Sequence, residues 1–232
     1  MAEINLKDYP TLDKYTHPVK KPEREIVGRD AEKKSIFASF LRPELCNVIL
    51  LGGAGSGKTA LVQSCMMEDT KRHYREVDLS KMISELDDMD KLANLIKMMF
   101  AEASKYSREM GKEVVMFIDE FHQIIHLSKA AVEALKPILA DSGTRGLRII
   151  FATTFEEFEE FVKPNQALVE RLERINIRGA SKELVIKILK GMSERYEVDH
   201  LFYNDSIYEL IYDYTNRYIP ANSQPRKSIL VL

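Results

Sequence analysis

Apolar residues along this chain alternate between short continuous blocks and stripes that recur every third or fourth position. The blocks Val48-Ile49-Leu50-Leu51, Val114-Val115-Met116-Phe117-Ile118 and Leu147-Arg148-Ile149-Ile150-Phe151 are what strands buried on both faces of a parallel sheet require. Shorter strands are predicted at Tyr74 to Val77 and near Ile175 to Ile177. The stripes predict helices. Asp30 stands as N-cap before Ile36, Phe37, Phe40 and Leu41, a face closed by Pro43. Met89, Leu92, Leu95, Ile96, Met99, Phe100 and Ala103 mark a long helix. Val132, Leu135, Ile138 and Leu139 mark another, kinked or shortened at Pro137. Phe155, Phe158 and Phe161 give one helical face, with Glu156, Glu157, Glu159 and Glu160 as its solvated side.

After Ile177 the character changes. Ser181 caps a helix with Leu184, Val185, Ile188 and Leu189, a second carries Ile207, Leu210, Ile211 and Tyr214, and a third begins around Pro225. The expected organisation is an extended arm over 1–24, where Pro10, Pro18 and Pro22 interrupt any period, an α/β body over 25–178 and a small helical lid over 179–232. The apolar ending Ile229-Leu230-Val231-Leu232 suggests a trimmed chain or an end buried by a neighbour.

Composition narrows this only a little. A chain of 232 residues with 45% apolar content can build one large domain, or one domain with a small appendage. Lys plus Arg (34) nearly balances Asp plus Glu (36), so overall charge indicates no nucleic-acid surface. Cys46 and Cys65 lie in or beside apolar segments without metal-ligand spacing, which reads as core and suits a reducing compartment. No signal-peptide pattern and no apolar run near about 18 residues is present, so the expected location is the cytoplasm, without a membrane span.

Chemistry enters where the first block turns into glycines. Gly52, Gly57, Lys58 and Thr59 fill G-x-x-x-x-G-K-[ST], the phosphate cradle (Walker A) of nucleoside triphosphatases. Backbone N–H groups of Gly53, Ala54, Gly55, Ser56, Gly57, Lys58, Thr59 and Ala60 are expected to face phosphate oxygens, helped by the dipole of the helix beginning near Lys58. Lys58 would bridge the β- and γ-phosphates of ATP, and the Thr59 hydroxyl would ligate Mg2+. The second block ends in Asp119-Glu120 (Walker B). Asp119 is the metal-side carboxylate and Glu120 the water-activating one, reaching the γ-phosphate from the strand neighbouring the phosphate loop. His122 and His126 have zinc-compatible spacing but not the order His-Glu-x-x-His, so they read as a packed or surface pair.

Val27-Gly28-Arg29-Asp30, Gly52 to Thr59, Phe117-Ile118-Asp119-Glu120-Phe121-His122, Ala152-Thr153-Thr154-Phe155-Glu156-Glu157-Phe158, Ala167-Leu168-Val169-Glu170-Arg171 and Leu189-Lys190-Gly191-Met192-Ser193-Glu194-Arg195-Tyr196 together carry a resemblance. From about residue 26 onward the chain resembles the first ATPase module of Clp unfoldases, AAA+ proteins of the ClpA, ClpB and ClpC type. The resemblance implies a P-loop α/β/α body with a five-stranded parallel sheet, a helical lid, and a homo-oligomeric, hexameric ring with ATP between subunits. It implies that Val27 and Gly28 border adenine, that Thr154 is the polar sensor of the γ-phosphate, and that Arg171 is the finger inserted into a neighbour's site. It also implies ATP hydrolysis coupled to remodelling of a protein substrate. The family's paired arginine is here Glu170, and the pore aromatic is missing. Counted from Asp78, its position holds Asp88, and no aromatic stands between Leu79 and Met99. The sequence carries no N-terminal substrate domain, long coiled-coil insertion or second ATPase module, so it reads either as a piece of a longer unfoldase or as a single-module ATPase. The rival function is an ATP-controlled assembly switch, or a nucleic-acid-associated AAA+ protein, that threads no polymer.

Overall fold

The computed structural model describes residues 5–22, 26–88, 90–193 and 204–232. In chain order the elements are α1 (Pro10–Tyr15), β1 (Thr16–Pro18), α2 (Asp30–Phe40), β2 (Asn47–Leu51), α3 (Lys58–Glu68), β3 (Arg72–Val77), α4 (Leu79–Ser84), α5 (Asp90–Met110), β4 (Glu113–Ile118), α6 (His122–Leu127), α7 (Lys129–Asp141), β5 (Leu147–Thr153), α8 (Phe155–Glu157), α9 (Gln166–Val169), β6 (Leu172–Asn176), α10 (Lys182–Ser193), α11 (Asp205–Tyr218) and α12 (Arg226–Ile229).

The strands form one six-stranded sheet in the order β1-β3-β4-β5-β2-β6. β1 pairs antiparallel with β3 on the edge, and the other pairings are parallel. The apolar blocks are continuous because helices cover both faces. Ile49, Leu51, Met116, Ile118, Ile149 and Phe151 join the core that contains residues of α5 and α7. Val48, Leu50, Val115, Phe117, Ile150 and Ala152 alternate with them and join the core that contains residues of α2 and α3. This is the expected three-layer α/β/α class. Cys46 and Cys65 are both free and buried, and burial pushes the Cys65 thiol up to about 12.

Several elements differ from the sequence expectations. The stretch 1–24, expected as an extended arm, supplies a 3-10 turn at Leu6–Asp8, helix α1 and the sixth strand. Pro10 is the first residue of α1, where its missing N–H is tolerated, and Tyr9, Leu12 and Tyr15 are buried. Glu102 on α5 fastens the segment, accepting from Thr11 Oγ1 at 2.9 Å and Leu12 N at 2.8 Å. Asp30 is not the N-cap of α2. Arg29, in left-handed backbone, takes that place, and Asp30 pairs with Lys33 at 3.0 Å. Helix α7 continues through Pro137 to Asp141. Of the phenylalanine face, Phe158 is buried but Phe155 is exposed, because the chain passes from α8 into a π-helical turn at Phe158–Val162. In α11 the apolar stripe turns outward at Leu210 and Tyr214. Tyr208 and Thr215 face in, held by bonds of Tyr208 Oη to Ser193 Oγ and of Thr215 Oγ1 to Ser228 Oγ. The third helix does begin around Pro225, which stands as the N-cap of α12. Met89 and Glu194-Arg195-Tyr196 lie outside the described residues.

One buried side chain locks the base of β2. Asn47 is fully buried, donates to Leu139 O at 3.0 Å and Ser142 Oγ at 2.9 Å, and accepts from Ile149 N at 3.2 Å. Asn47→Ala leaves these partners unpaired in a dry place, so it is expected to cost about 2–3 kcal/mol of stability. Urea unfolding measures this, and a midpoint equal to that of the parent chain refutes it.

Candidate functional site

Parallel strands end on one edge of the sheet, and in open α/β sheets that edge gathers the loops that bind ligands. Here β2, β5 and β4 lie side by side, so the phosphate loop, Thr153-Thr154 and Asp119-Glu120 emerge as neighbours. The order corrects one expectation: β5, not the Asp-Glu strand β4, is the neighbour of β2, with Leu51 opposite Thr153. The threonines therefore stand between the loop and the carboxylates, and Gly52 N donates to Thr153 O at 3.2 Å.

The loop after β2 has the shape that anion binding needs. Gly57 caps α3 with φ +96°, a left-handed conformation that disfavours any side chain and aims the first turn of α3 into the loop. Lys58 is buried, and its Nζ donates to Gly52 O at 2.7 Å. Ser56 Oγ is buried with no hydrogen-bond partner. Such an orphan is rare unless a ligand or water completes it. Gly53 and Gly55 have a second reason to be glycine: the segment before α12 lies against them. Ser223 N donates to Ala54 O at 2.9 Å and Arg226 N to Gly55 O at 3.4 Å. A Cβ on Gly55 would fall 2.5 Å from Arg226 Cβ. This brace engages loop carbonyls and takes up none of the loop's N–H groups, of which Ser56 N donates to Gly53 O at 3.1 Å. Arg29 adds a second brace, donating to Ser56 O at 3.1 Å and Arg178 O at 2.5 Å.

Beside the loop, Thr59 Oγ1 donates to Asp119 Oδ2 at 3.0 Å, so the two expected metal ligands converge. A hydroxyl and a carboxylate, both hard oxygen donors at the mouth of a phosphate loop, fit Mg2+. Glu120 follows in left-handed backbone, φ +52°, with its N–H on Asp119 Oδ1 at 2.9 Å. That conformation is uncommon for glutamate and concentrates at functional sites. Partial burial, then Asp119 and Glu157, raise the Glu120 carboxyl above the usual range, which suits a proton acceptor.

Thr154 caps α8, and its Oγ1 accepts from Glu157 N at 3.2 Å, leaving its own proton to donate. Val27 and Gly28 line a cavity of about 480 Å³ together with Pro22, Ser64, Met67 and Lys187. Arg171 is not brought to this edge. It precedes Leu172, which pairs with Asn47 at the start of β2, whereas the phosphate loop follows Leu51 at its end. The strand between them spans roughly 15 Å. Its guanidinium donates to Ala167 O. Among the described residues neither Glu170 nor Glu173 pairs with it, and Glu173 holds Arg42 at 2.8 Å.

Sequence reasoning missed Glu157. Instead of a solvated glutamate, it completes a capping box with Thr154 and accepts from Thr153 Oγ1 at 2.8 Å. The signal was present as Thr-x-x-Glu, a helix-start pattern. His122, taken for a packed or surface residue, meets Glu157 at 3.1 Å and Glu120 at 3.6 Å.

Comparisons with known proteins bear on the family and the fold. The chain is 32% identical over 244 residues to the chaperone protein ClpB of Staphylococcus epidermidis, an alignment covering 98% of this chain and 27% of that protein. ClpB of Corynebacterium glutamicum is 29% identical, with 95% and 28% covered. The chain thus spans about a quarter of the length of these relatives. Among solved structures, the S. cerevisiae Hsp104-ADP complex superposes with a TM-score of 0.79 at 24% identity, covering 95% of this chain and 40% of that one. The S. cerevisiae Hsp104:casein complex in its extended conformation gives 0.77 at the same identity. The model of the ATPase family associated with various cellular activities (AAA) matches residues 48–180, from the start of the phosphate-loop strand to beyond β6, and the chain belongs to that family.

Proposed function

We propose that this chain is a Clp-like module that binds ATP, hydrolyses it with Mg2+, and works in a ring of copies. The observation that carries the reading is the meeting of Thr59 and Asp119 at 3.0 Å beside a phosphate loop whose Ser56 hydroxyl lacks a partner. In this reading adenine occupies the cavity at Val27 and Gly28, and the N–H groups from Gly53 to Ala60 hold the phosphates with Lys58. Thr59 and Asp119 would hold Mg2+, which would supply charge neutralisation at the phosphate oxygens. Glu120 takes the proton of the attacking water as its oxygen bonds to the γ-phosphorus and the bond to the β-phosphate oxygen breaks, releasing ADP and phosphate. Thr154 donates to the γ-phosphate or the water.

Arg171 sits too far from its own phosphate loop to serve it, which supports action on a neighbour. A finger of this kind is worth roughly 10³ to 10⁵ in rate in related phosphoryl transfer. ATPase rate per molecule is therefore expected to rise with protein concentration and to collapse in Arg171→Ala. A rate independent of concentration, with Arg171→Ala silent, sinks the ring. Among the described residues no helix is long and apolar enough to cross a membrane, and we place the protein in the cytoplasm.

Coupling to protein remodelling is the favoured use of the energy, by likeness to the ClpB chaperones. The second reading, an ATP-controlled assembly switch, is favoured by Asp88 in the loop that should grip substrate. The deciding experiment measures ATPase against concentration with and without casein or DNA. Stimulation by casein supports remodelling, and stimulation by DNA supports the nucleic-acid-associated form of the rival.

A further inference from the structure

Each carbonyl of the phosphate loop from Gly52 to Ser56 has a donor. Lys58 Nζ meets Gly52 O at 2.7 Å and Ser56 N meets Gly53 O at 3.1 Å, while Ser223 N and Arg226 N meet Ala54 O and Gly55 O at 2.9 and 3.4 Å. The donor to Ser56 O, at 3.1 Å, is Nη2 of Arg29, a side chain that ATP hydrolysis as described above leaves without a task. In a planar trans peptide the C=O and the following N–H point opposite ways. Arg29 therefore turns the Gly57 N–H away from itself, and that N–H meets no acceptor among the described residues. On the ATPase reading it is one of the groups that hold the phosphates.

The same nitrogen also donates to Arg178 O at 2.5 Å. Nη2 carries two protons, one for each carbonyl, and Nη1 turns to Glu32 Oε1 at 2.9 Å. The side chain so held is only 13% exposed. Arg178 lies between β6 and α10, where the chain passes from the body to the lid. Beyond it Ala180, Val185, Leu189 and Tyr208 form a buried cluster apart from the two cores on the sheet, so the lid has packing of its own. Gly28 and Arg29, at φ +80° and +66°, run in left-handed backbone beside α10, and a Cβ on Gly28 would fall 2.7 Å from Leu184 Cδ1. An arginine in that conformation is uncommon and marks a place where the surroundings fix it.

We propose that Arg29 is a positioning residue for nucleotide binding: one guanidinium nitrogen holds Ser56 O and Arg178 O together, aiming the Gly57 N–H at the phosphates and pinning the lid to the phosphate loop. The role rests on the ATPase reading and deepens it. It makes affinity for a nucleoside diphosphate or triphosphate depend on where the lid sits, and it makes the lid's freedom depend on the loop. The hydrogen bonds of the Arg29 side chain go to Glu32, Ser56 and Arg178, and none goes to Thr59, Asp119 or Glu120. Its removal should therefore raise KM and spare kcat.

The experiment compares the parent chain with Arg29→Ala and with Arg29→Lys, which keeps the charge but not the planar fork. A fluorescent ADP analogue gives affinity, and phosphate release gives kcat and KM. Double electron–electron resonance between nitroxides at Lys34→Cys on α2 and Arg217→Cys on α11 gives the body-to-lid distance. Both positions are exposed, whereas Cys46 and Cys65 are buried and escape labelling. Arg29→Ala is expected to weaken ADP binding roughly 10- to 10²-fold, the worth of a charge-assisted hydrogen bond. KM should rise with it while kcat stays within about threefold of the parent, and the distance distribution should broaden. Arg29→Lys should bind ADP well below the parent, and it carries the test should the alanine variant not fold. An unchanged ADP affinity in Arg29→Ala, a fall in kcat at unchanged KM, a lysine variant as tight as the parent, or a distance distribution as narrow as the parent's each overturns the proposal. A parent chain that binds no ADP overturns the ATPase reading and this role with it, whereas a binding parent beside an equally tight Arg29→Ala overturns the role alone.

Discussion

Lys58→Ala is expected to abolish nucleotide binding, while Glu120→Gln keeps it and stops hydrolysis. Lys58 opens α3 after β2 and Glu120 follows β4, and the two meet different stages of the reaction. Lys58 is buried at the mouth of the loop with its ammonium on Gly52 O, where a triphosphate would meet a charge already stripped of water. Removing a desolvated cation from an anion site is worth roughly 2–5 kcal/mol, so affinity should fall by roughly 30- to 5,000-fold. Glu120 is partly exposed and its carboxyl is raised by burial, by Asp119 and by Glu157. Glutamine keeps its size but accepts no proton, and the loss of a general base costs about 10²–10⁴ in rate. Titration with a fluorescent ADP analogue, beside single-turnover phosphate release, separates the two. Equal loss of affinity in both variants counts against the division of roles.

The parts of the fold that were legible in the sequence are those where one cause dominates. The blocks at Val48, Val114 and Leu147 are buried on both faces, so apolar side chains alternate between the two cores along each strand, interrupted within the blocks by Arg148 alone, which is buried with its Nε on Phe40 O at 2.9 Å. The glycine-lysine-threonine loop is legible because few other tasks demand that spacing. What escaped depends on distant partners. Tyr9, Leu12 and Tyr15 make too short a stripe to announce a helix, and the partners that fasten the segment, Glu85 and, on α5, Glu102 and Glu109, lie far along the chain. The strand order escaped for the same reason, since no local pattern tells β5 to insert between β4 and β2. Glu157 sat among glutamates that do face solvent, and its Thr-x-x-Glu relation was outweighed by composition. In α11 the stripe of Leu210 and Tyr214 misled because hydrogen bonds of Tyr208 and Thr215 set the inward face.

A chain that hydrolyses ATP is still expected to thread polypeptide weakly or not at all. In Clp relatives the resemblance places the gripping aromatic in the loop that here lies between α4 and α5, at the position of Asp88. The near side of that loop is well tied. Glu85 accepts from Tyr15 Oη at 2.8 Å and pairs with Lys14 at 2.6 Å, and Leu86 packs against the core below. Beyond it Asp87 and Asp88 are exposed. An aromatic ring wedges against a moving chain through apolar contact, whereas a carboxylate is strongly hydrated and repels acidic segments. A shift of register does not restore the motif, since the sequence from Leu79 to Met99 contains no aromatic. The test is ATP-driven unfolding of a tagged, stable reporter by assembled protein, beside an Asp88→Tyr variant. The parent should leave the reporter folded while consuming ATP, and the tyrosine should give measurable unfolding at unchanged ATPase. Robust unfolding by the parent refutes the expectation and favours a motor that grips by other means.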